Sequence, residues 1–124
     1  MKRVIIAILN PGAAAADNGR TIHALKLAGS LKAAGAEVKV VFEGEGVVWI
    51  PRFVNRTEES HPFVKHYGAA FDAVRDVAHA CNMCTKRFDA REAIEAADVP
   101  IVGEGQEHID LAPYVMDGWQ VINF

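Results

Sequence analysis

An uninterrupted apolar run near the start of the chain, VIIAIL at residues 4 to 9, limits the possible folds most strongly. Its β-branched residues and the Asn10-Pro11-Gly12 stop that follows predict a short strand rather than a helix. A strand that is apolar on both faces is typical of the centre of a parallel sheet, where both faces are covered. The run is also far too short to cross a bilayer as a helix.

Helical and strand patterns alternate through the rest of the chain. Ile22, Leu25, Ala28 and Leu31 recur at helical spacing, and Gly35 follows as a helix stop. A strand over residues 36–44 would complete a βαβ unit. Later segments predict a short strand at residues 77–81, a helix over 82–97, a short strand within VPIVGEG, a helix over 106–117 and a closing strand WQVINF. We therefore predict one α/β domain, residues 1–124, with about five strands.

Composition excludes several classes of function. The formal net charge of −3 gives no electrostatic footprint for nucleic acid or for an anionic membrane. The basic and apolar N-terminus resembles a signal peptide only superficially, because its apolar stretch is short and no small-residue cleavage site follows. Two cysteines are too few for a disulfide framework, so we expect a cytoplasmic location. The hydrophobic fraction of 51% predicts that some apolar surface lies in a subunit interface.

Both cysteines of the chain lie in one CxxC segment, HACNMCTKRF. Cys81 ends a predicted strand, and Cys84 falls in the first turn of the helix that follows. Unpaired N–H groups at a helix N-terminus stabilise a thiolate and increase its reactivity. Lys86 and Arg87 would add positive charge if they face the same way. We expect Cys81 to be an activated, loop-exposed thiolate at the carboxyl edge of the sheet.

Three other interpretations of the pair remain open to different degrees. A structural zinc site needs four ligands, a second CxxC is absent, and none of the five histidines has finger-like spacing, so we expect no metal site. A redox dithiol also uses a strand–CxxC–helix context, although the strand pattern differs from that of thioredoxin. The third interpretation is two buried thiols with no chemistry, which for Cys84 is as favoured as a catalytic role.

Four residues near the cysteines are candidates for lining a ligand pocket. His79 alternates with Cys81 on the strand and could help to deprotonate it, although a satisfied buried histidine is the commoner case. Asn82 follows Cys81 directly. Glu43 and Trp49 belong to a predicted loop, EGEGVVW, at the carboxyl end of the second strand, where open α/β sheets place ligands. The NPGAAAADNG loop matches neither GxGxxG nor GxxxxGK[ST], so no nucleotide or other cofactor is expected.

A resemblance to a known family lies in four segments, taken in order: RVIIAILN, GRTIHALKLAGSLKAAGAEVKVVFEGEGV, HACNMCTKRFDA and GWQVINF. Together they resemble the DsrE/DsrF-like family, which includes YchN-like and TusD-like proteins. The resemblance implies a three-layer α/β/α domain with a five-stranded, mostly parallel sheet, assembled into trimers or hexamers. It also implies sulfur relay, in which a strand-end cysteine carries a persulfide. That cysteine matches Cys81, and Cys84 matches the second cysteine of CxxC members. Relatives often have glycine after the first cysteine, where this chain has Asn82.

The leading hypothesis is therefore a DsrE-like sulfur carrier, for which a sulfurtransferase-type activity is compatible but not required. The expected partners are further copies of the chain and a protein sulfur donor or acceptor, with no nucleic acid and no membrane. The alternatives are a non-enzymatic oligomeric module that binds a small ligand, and a CxxC dithiol redox protein.

Overall fold

A computed structural model describes residues 1–103 and 107–124 of the chain. The described residues form a five-stranded parallel sheet in the order β4-β3-β2-β1-β5. The strands are β1 Arg3–Ile8, β2 Glu37–Phe42, β3 Ala78–Cys81, β4 Ile101–Val102 and β5 Gln120–Asn123. The predicted α/β fold with a mostly parallel, about five-stranded sheet is confirmed, and every pairing among these strands is parallel.

Six α-helices connect the strands within the described residues. They are α1 Ala15–Ala33, α2 Trp49–Val54, α3 Pro62–Asp72, α4 Asn82–Arg87, α5 Arg91–Ala96 and α6 Ala112–Met116. Two 3₁₀ helices, Gly44–Val48 and Arg75–Val77, precede α2 and β3. None of the helices in the described part of the chain is both long and apolar enough to cross a membrane.

The sheet buries its first strand, as the apolar run predicted. Residues 4 to 8 are all buried, and β1 lies between β2 and β5. Ile6 and Ile8 belong to a large apolar cluster that includes residues of α1, α2, α3 and α5. Ile5 belongs to a smaller cluster with Val41 and Trp119. Four partly buried side chains pack against this cluster: Ile109, Leu111, Tyr114 and Val121. The sheet is thus covered by apolar side chains on both faces, as a central parallel strand requires.

An aromatic group fills the centre of the large cluster. The Phe53 ring stacks on Phe71 with centroids 5.0 Å apart and on Trp49 with centroids 5.6 Å apart. Phe42, the last residue of β2, meets Phe71 edge to face at 6.2 Å. Such pairs add to the stability that apolar burial provides. They hold the carboxyl end of β2 in place, and with it Gly44, whose N–H contacts a cysteine sulfur.

Three predicted elements were wrong in part. Most of the predicted EGEGVVW loop forms the 3₁₀ helix Gly44–Val48, and α2 begins at its last residue, Trp49. The predicted helix over 82–97 is broken between α4 and α5, where Asp89 has a φ of 53° and the Ala90 N–H bonds back to the Thr85 carbonyl. This left-handed helix end is the kind that glycine usually supplies. The helix predicted over 106–117 is limited to α6 among the described residues, and residue 106 lies outside them.

Candidate thiol site

The strand-to-helix junction predicted for Cys81 is present. β3 ends at Cys81, which is the N-cap residue of α4, and Cys84 lies in the first turn of that helix. The backbone N–H of Gly44, just after β2, donates to Cys84 Sγ at 3.1 Å. Neighbouring parallel strands end at the same edge of the sheet, so β2 and β3 bring this donor and both thiols together.

Gly46 permits the close approach of the 3₁₀ helix to the end of β1. A Cβ atom at this position would lie 2.1 Å from the Ile8 carbonyl oxygen, which is far inside van der Waals contact. The position therefore needs glycine for space. The GEG pattern that marked this segment in the sequence reflects a backbone contact that supports the site.

A third side chain, His108, completes the cluster. Its Nδ1 lies 3.4 Å from Cys81 Sγ and 3.4 Å from Cys84 Sγ. The backbone N–H of the next residue, Ile109, donates to Cys81 Sγ at 3.4 Å. The segment is anchored by the Met83 N–H, which donates to the Glu107 carbonyl at 3.2 Å. His108 was not among the predicted site residues; it is exposed, yet its ring contacts both sulfurs.

Both cysteines are free thiols, and both are buried. Cys81 is 1% exposed and Cys84 is 3% exposed. The expectation that Cys81 would be loop-exposed was therefore wrong. Residues 108 and 109, which contact its sulfur, come from a segment that the strand pattern did not place over the site.

The two thiols have unequal surroundings. Burial raises the pKa of Cys84, and the hydrogen bond to Cys81 and the negative charges of Cys81 and Glu43 raise it further, to about 11. The Gly44 N–H opposes these effects. Burial also raises the pKa of Glu43, and the nearby charge of His108 lowers it. At neutral pH the site therefore holds Cys84 as a protonated thiol.

Asn82 connects the site to its surroundings rather than lining it. Its buried side-chain amide donates to the Gly103 carbonyl at 2.9 Å, and its amide oxygen accepts a hydrogen bond from Arg91. Gly103 has a φ of 127°, and a Cβ there would lie 2.5 Å from the Glu107 carbonyl oxygen. These contacts hold Gly103 and Glu107 next to each other, and so position Glu107 beside His108.

The structure places the other predicted pocket residues differently. His79 uses its Nδ1 to contact the Val77 carbonyl at 3.0 Å, and burial together with the charge of Lys39 lowers its pKa. His108 therefore occupies the place beside Cys81 that the strand alternation suggested for His79. Trp49 is buried in the aromatic group, where its Nε1 donates to the Asn10 carbonyl at 2.9 Å. It lines a cavity of about 250 Å³ whose lining does not include the cysteines.

Fold and site together define a class, the single α/β domains that present a thiol pair where a parallel strand meets a helix. Within that class, the chain belongs to the DsrE/DsrF-like family, which it matches over residues 2–124. An uncharacterized protein of Methanocaldococcus jannaschii, MJ0733, is 31% identical over 101 residues, which are 82% of this chain and 77% of that protein.

The fold is similar to that of a solved protein. The crystal structure of the ychN protein from E. coli superposes with a TM-score of 0.63 at 18% identity, covering 100% of this chain and 99% of that one. At this identity the likeness extends to the architecture alone. It agrees with the three-layer domain that the resemblance implied.

Proposed function

We propose that this protein is a sulfur carrier that holds a persulfide on Cys81. The observation that carries the proposal is the position of Cys81 Sγ, at the end of β3 and beside the Ile109 N–H, His108 Nδ1 and the Cys84 thiol. Hydrogen-bond donors around a sulfur stabilise its thiolate, which is the nucleophilic form. Membership of the DsrE/DsrF-like family supports the same chemistry.

The transfer step uses groups that the site contains. His108 Nδ1 lies within reach of Cys81 and accepts the proton of its thiol. The thiolate then attacks the outer sulfur of a donor persulfide. A new bond forms between that sulfur and Cys81 while the S–S bond of the donor breaks, and the donor thiolate leaves with the electron pair. In the release step, an acceptor thiolate attacks the outer sulfur of the Cys81 persulfide. The S–S bond to Cys81 breaks, and the Cys81 thiolate leaves with the electron pair.

Cys84 is proposed to protect the persulfide rather than to resolve it. A Cys84 thiolate could attack Cys81 of the persulfide, forming a Cys81–Cys84 disulfide and releasing hydrosulfide. Its pKa of about 11 leaves few molecules in the thiolate form at neutral pH. Because only thiolates attack, this loss of the carried sulfur is slow. The site thus favours a carrier over the alternative of a dithiol redox pair.

Access to the carried sulfur requires a local change. Cys81 is 1% exposed, and its sulfur contacts residues 108 and 109. A donor protein can therefore reach Cys81 Sγ only when these residues move aside. We expect slow alkylation of Cys81 in the free protein and faster alkylation when a donor is bound.

Mass mapping after incubation with a persulfide donor tests the proposal. We expect the reduced protein to gain one sulfur atom on the peptide that contains Cys81, and the Cys81→Ser variant to gain none. Cys84→Ser is the matched control, and it should still be loaded on Cys81. If the wild-type protein gains no sulfur under conditions that load a known carrier, the proposal fails.

Redox titration of the wild-type protein and binding measurements on Cys81→Ser separate the alternatives. A redox dithiol would instead form a reversible Cys81–Cys84 disulfide at a cytosolic potential. A small-ligand module would keep its binding and assembly in Cys81→Ser. Self-association into a trimer or hexamer stays a prediction, and sedimentation velocity at micromolar concentration tests it, since a monomer would contradict it.

A further inference from the structure

We propose that Cys81, Cys84 and His108 form a binding site for one thiophilic divalent cation of the zinc type. The three ligand atoms, two Sγ and one Nδ1, all lie within 4.8 Å of one another. Thiolate and imidazole are the ligands that zinc prefers in proteins. The proposal departs from the sequence-based expectation of no metal, and it does not depend on the sulfur-carrier proposal.

The two sulfur–nitrogen distances fit tetrahedral coordination. With Zn–S bonds of about 2.3 Å and Zn–N bonds of about 2.0 Å, tetrahedral angles place sulfur and nitrogen about 3.5 Å apart. The two distances from His108 Nδ1 to the sulfurs are both 3.4 Å. A cation could therefore enter between the three atoms with little movement of the imidazole. Residue spacing did not suggest this set, because His108 lies 27 positions after Cys81.

Each of the two sulfurs accepts one backbone N–H, the kind of contact that supports thiolates in metal sites. The Ile109 N–H donates to Cys81 Sγ at 3.4 Å, and the Gly44 N–H donates to Cys84 Sγ at 3.1 Å. Such outer contacts orient the ligands and delocalise the negative charge of a bound thiolate pair. They come from two different segments, so each sulfur is held independently. This second observation separates the cluster from a chance meeting of two thiols and a ring.

Three protein ligands leave one tetrahedral position for water or another small molecule. This is the arrangement of zinc sites with an open coordination position, whereas purely structural sites use four protein ligands. The absence of a fourth protein ligand counts against a structural zinc site. It is compatible with a site whose fourth ligand is an exchangeable water. Metal binding and persulfide formation both use Cys81 Sγ, so we expect them to exclude each other.

Titration of the reduced full-length protein with Co²⁺ tests the site. We expect one equivalent of Co²⁺ to produce thiolate-to-metal charge-transfer absorption and the d–d bands of a tetrahedral centre, and Zn²⁺ to displace it. Cys81→Ser, Cys84→Ser and His108→Ala should each weaken binding by more than about 100-fold, since removing a ligand costs at least as much as removing an outer contact. Affinity should fall as the pH is lowered, because both thiols must lose protons to bind.

His23→Ala, an exposed histidine on α1, is the matched control and should bind as the wild type does. His108→Cys guards against a folding artefact, because it should keep the cation and strengthen the charge-transfer absorption with a third thiolate. Cys84→Ser distinguishes the two proposals, since it should lose the metal but keep sulfur loading. Absence of one-to-one binding, or binding that survives His108→Ala unchanged, would overturn the metal site.

Discussion

The aromatic group at the centre of the core and the two thiols at the edge of the sheet are both buried, but burial has opposite consequences for them. Phe42, Phe53 and Phe71 are fully buried and gain stability from it. At the edge, burial acts on groups that ionise, and it raises the pKa values of Cys84 and Glu43. There burial disfavours the charged forms of these two side chains.

The contrast explains how one small domain supports a reactive site. The large cluster has residues from five helices and from both β2 and β3, which pair in parallel. The edge adds only the few hydrogen bonds that surround the sulfurs. Truncating a side chain in the core should therefore lower the free energy of unfolding. At the edge, the free energy of unfolding should instead depend on whether the thiol is ionised. The predictions below test this distinction.

The largest effect is expected from Phe53→Ala. This ring stacks on both Phe71 and Trp49, and its removal leaves a cavity in the large cluster. We expect the free energy of unfolding to fall by about 3–5 kcal/mol. His108→Ala, at the exposed side of the thiol cluster, should change it by less than about 0.5 kcal/mol. Urea denaturation of both variants measures the difference, and similar losses would show that the thiol edge contributes to stability as the core does.

A smaller effect is expected at alkaline pH. The pKa of Cys84 is raised in the folded protein from its ordinary value of 9.0 to about 11, so folding favours the protonated thiol. Its stabilising contribution is complete below pH 9 and is lost as the pH rises from about 9 to 11. Cys84→Ser removes this titration. We expect wild-type stability to fall more steeply than that of Cys84→Ser across this window.

Denaturant curves collected at closely spaced pH values check this difference. Lysine and tyrosine residues titrate in the same range, but they do so in both proteins and cancel in the comparison. Parallel stability profiles for the two proteins would contradict the raised pKa of Cys84.

Much of the architecture was predictable because it follows from local patterns. The apolar run at residues 4 to 9 predicted a central strand, and β1 lies between two neighbouring strands with residues 4 to 8 buried. The junction at Cys81 was also predictable, because a strand pattern ends where a helical one begins. The break after α4 was not, since Asp89 adopts the left-handed conformation without the glycine that normally marks it.

The thiol cluster was predictable only in part. The two cysteines are close in sequence, but His108 reaches them through a path fixed by tertiary contacts, including those of Gly103, Asn82 and Glu107. Spacing in the sequence does not encode such a path. A signal was available, however, because glycine at position 103 follows the short fourth strand and precedes a histidine. Parallel topology brings the residues after that strand to the edge that carries Cys81.

The smallest effect is expected from Glu43→Gln. The carboxylate charge of Glu43 raises the pKa of Cys84, so its removal should lower that pKa slightly. Burial raises the pKa of Glu43 itself, which means that the charged form is disfavoured in the folded state. At neutral pH that penalty is present and glutamine removes it, whereas below the pKa of the unfolded carboxyl it is absent. We therefore expect a gain of less than about 0.5 kcal/mol at pH 7, because the group is only half-buried.

The alkylation rate of Cys84, measured against pH in a Cys81→Ser background, reports the change in its pKa. Glu45→Gln is the matched control, because Glu45 is exposed and lies two positions after Glu43, in the 3₁₀ helix that Glu43 precedes. The alkylation profile should move to lower pH in Glu43→Gln and stay in place in Glu45→Gln. Equal shifts in the two variants would mean that the net charge of the segment, rather than the half-buried carboxylate of Glu43, controls the pKa of Cys84. In that case surface charge, rather than burial, would set the pKa of Cys84. The contrast between the core and the edge would then not rest on burial.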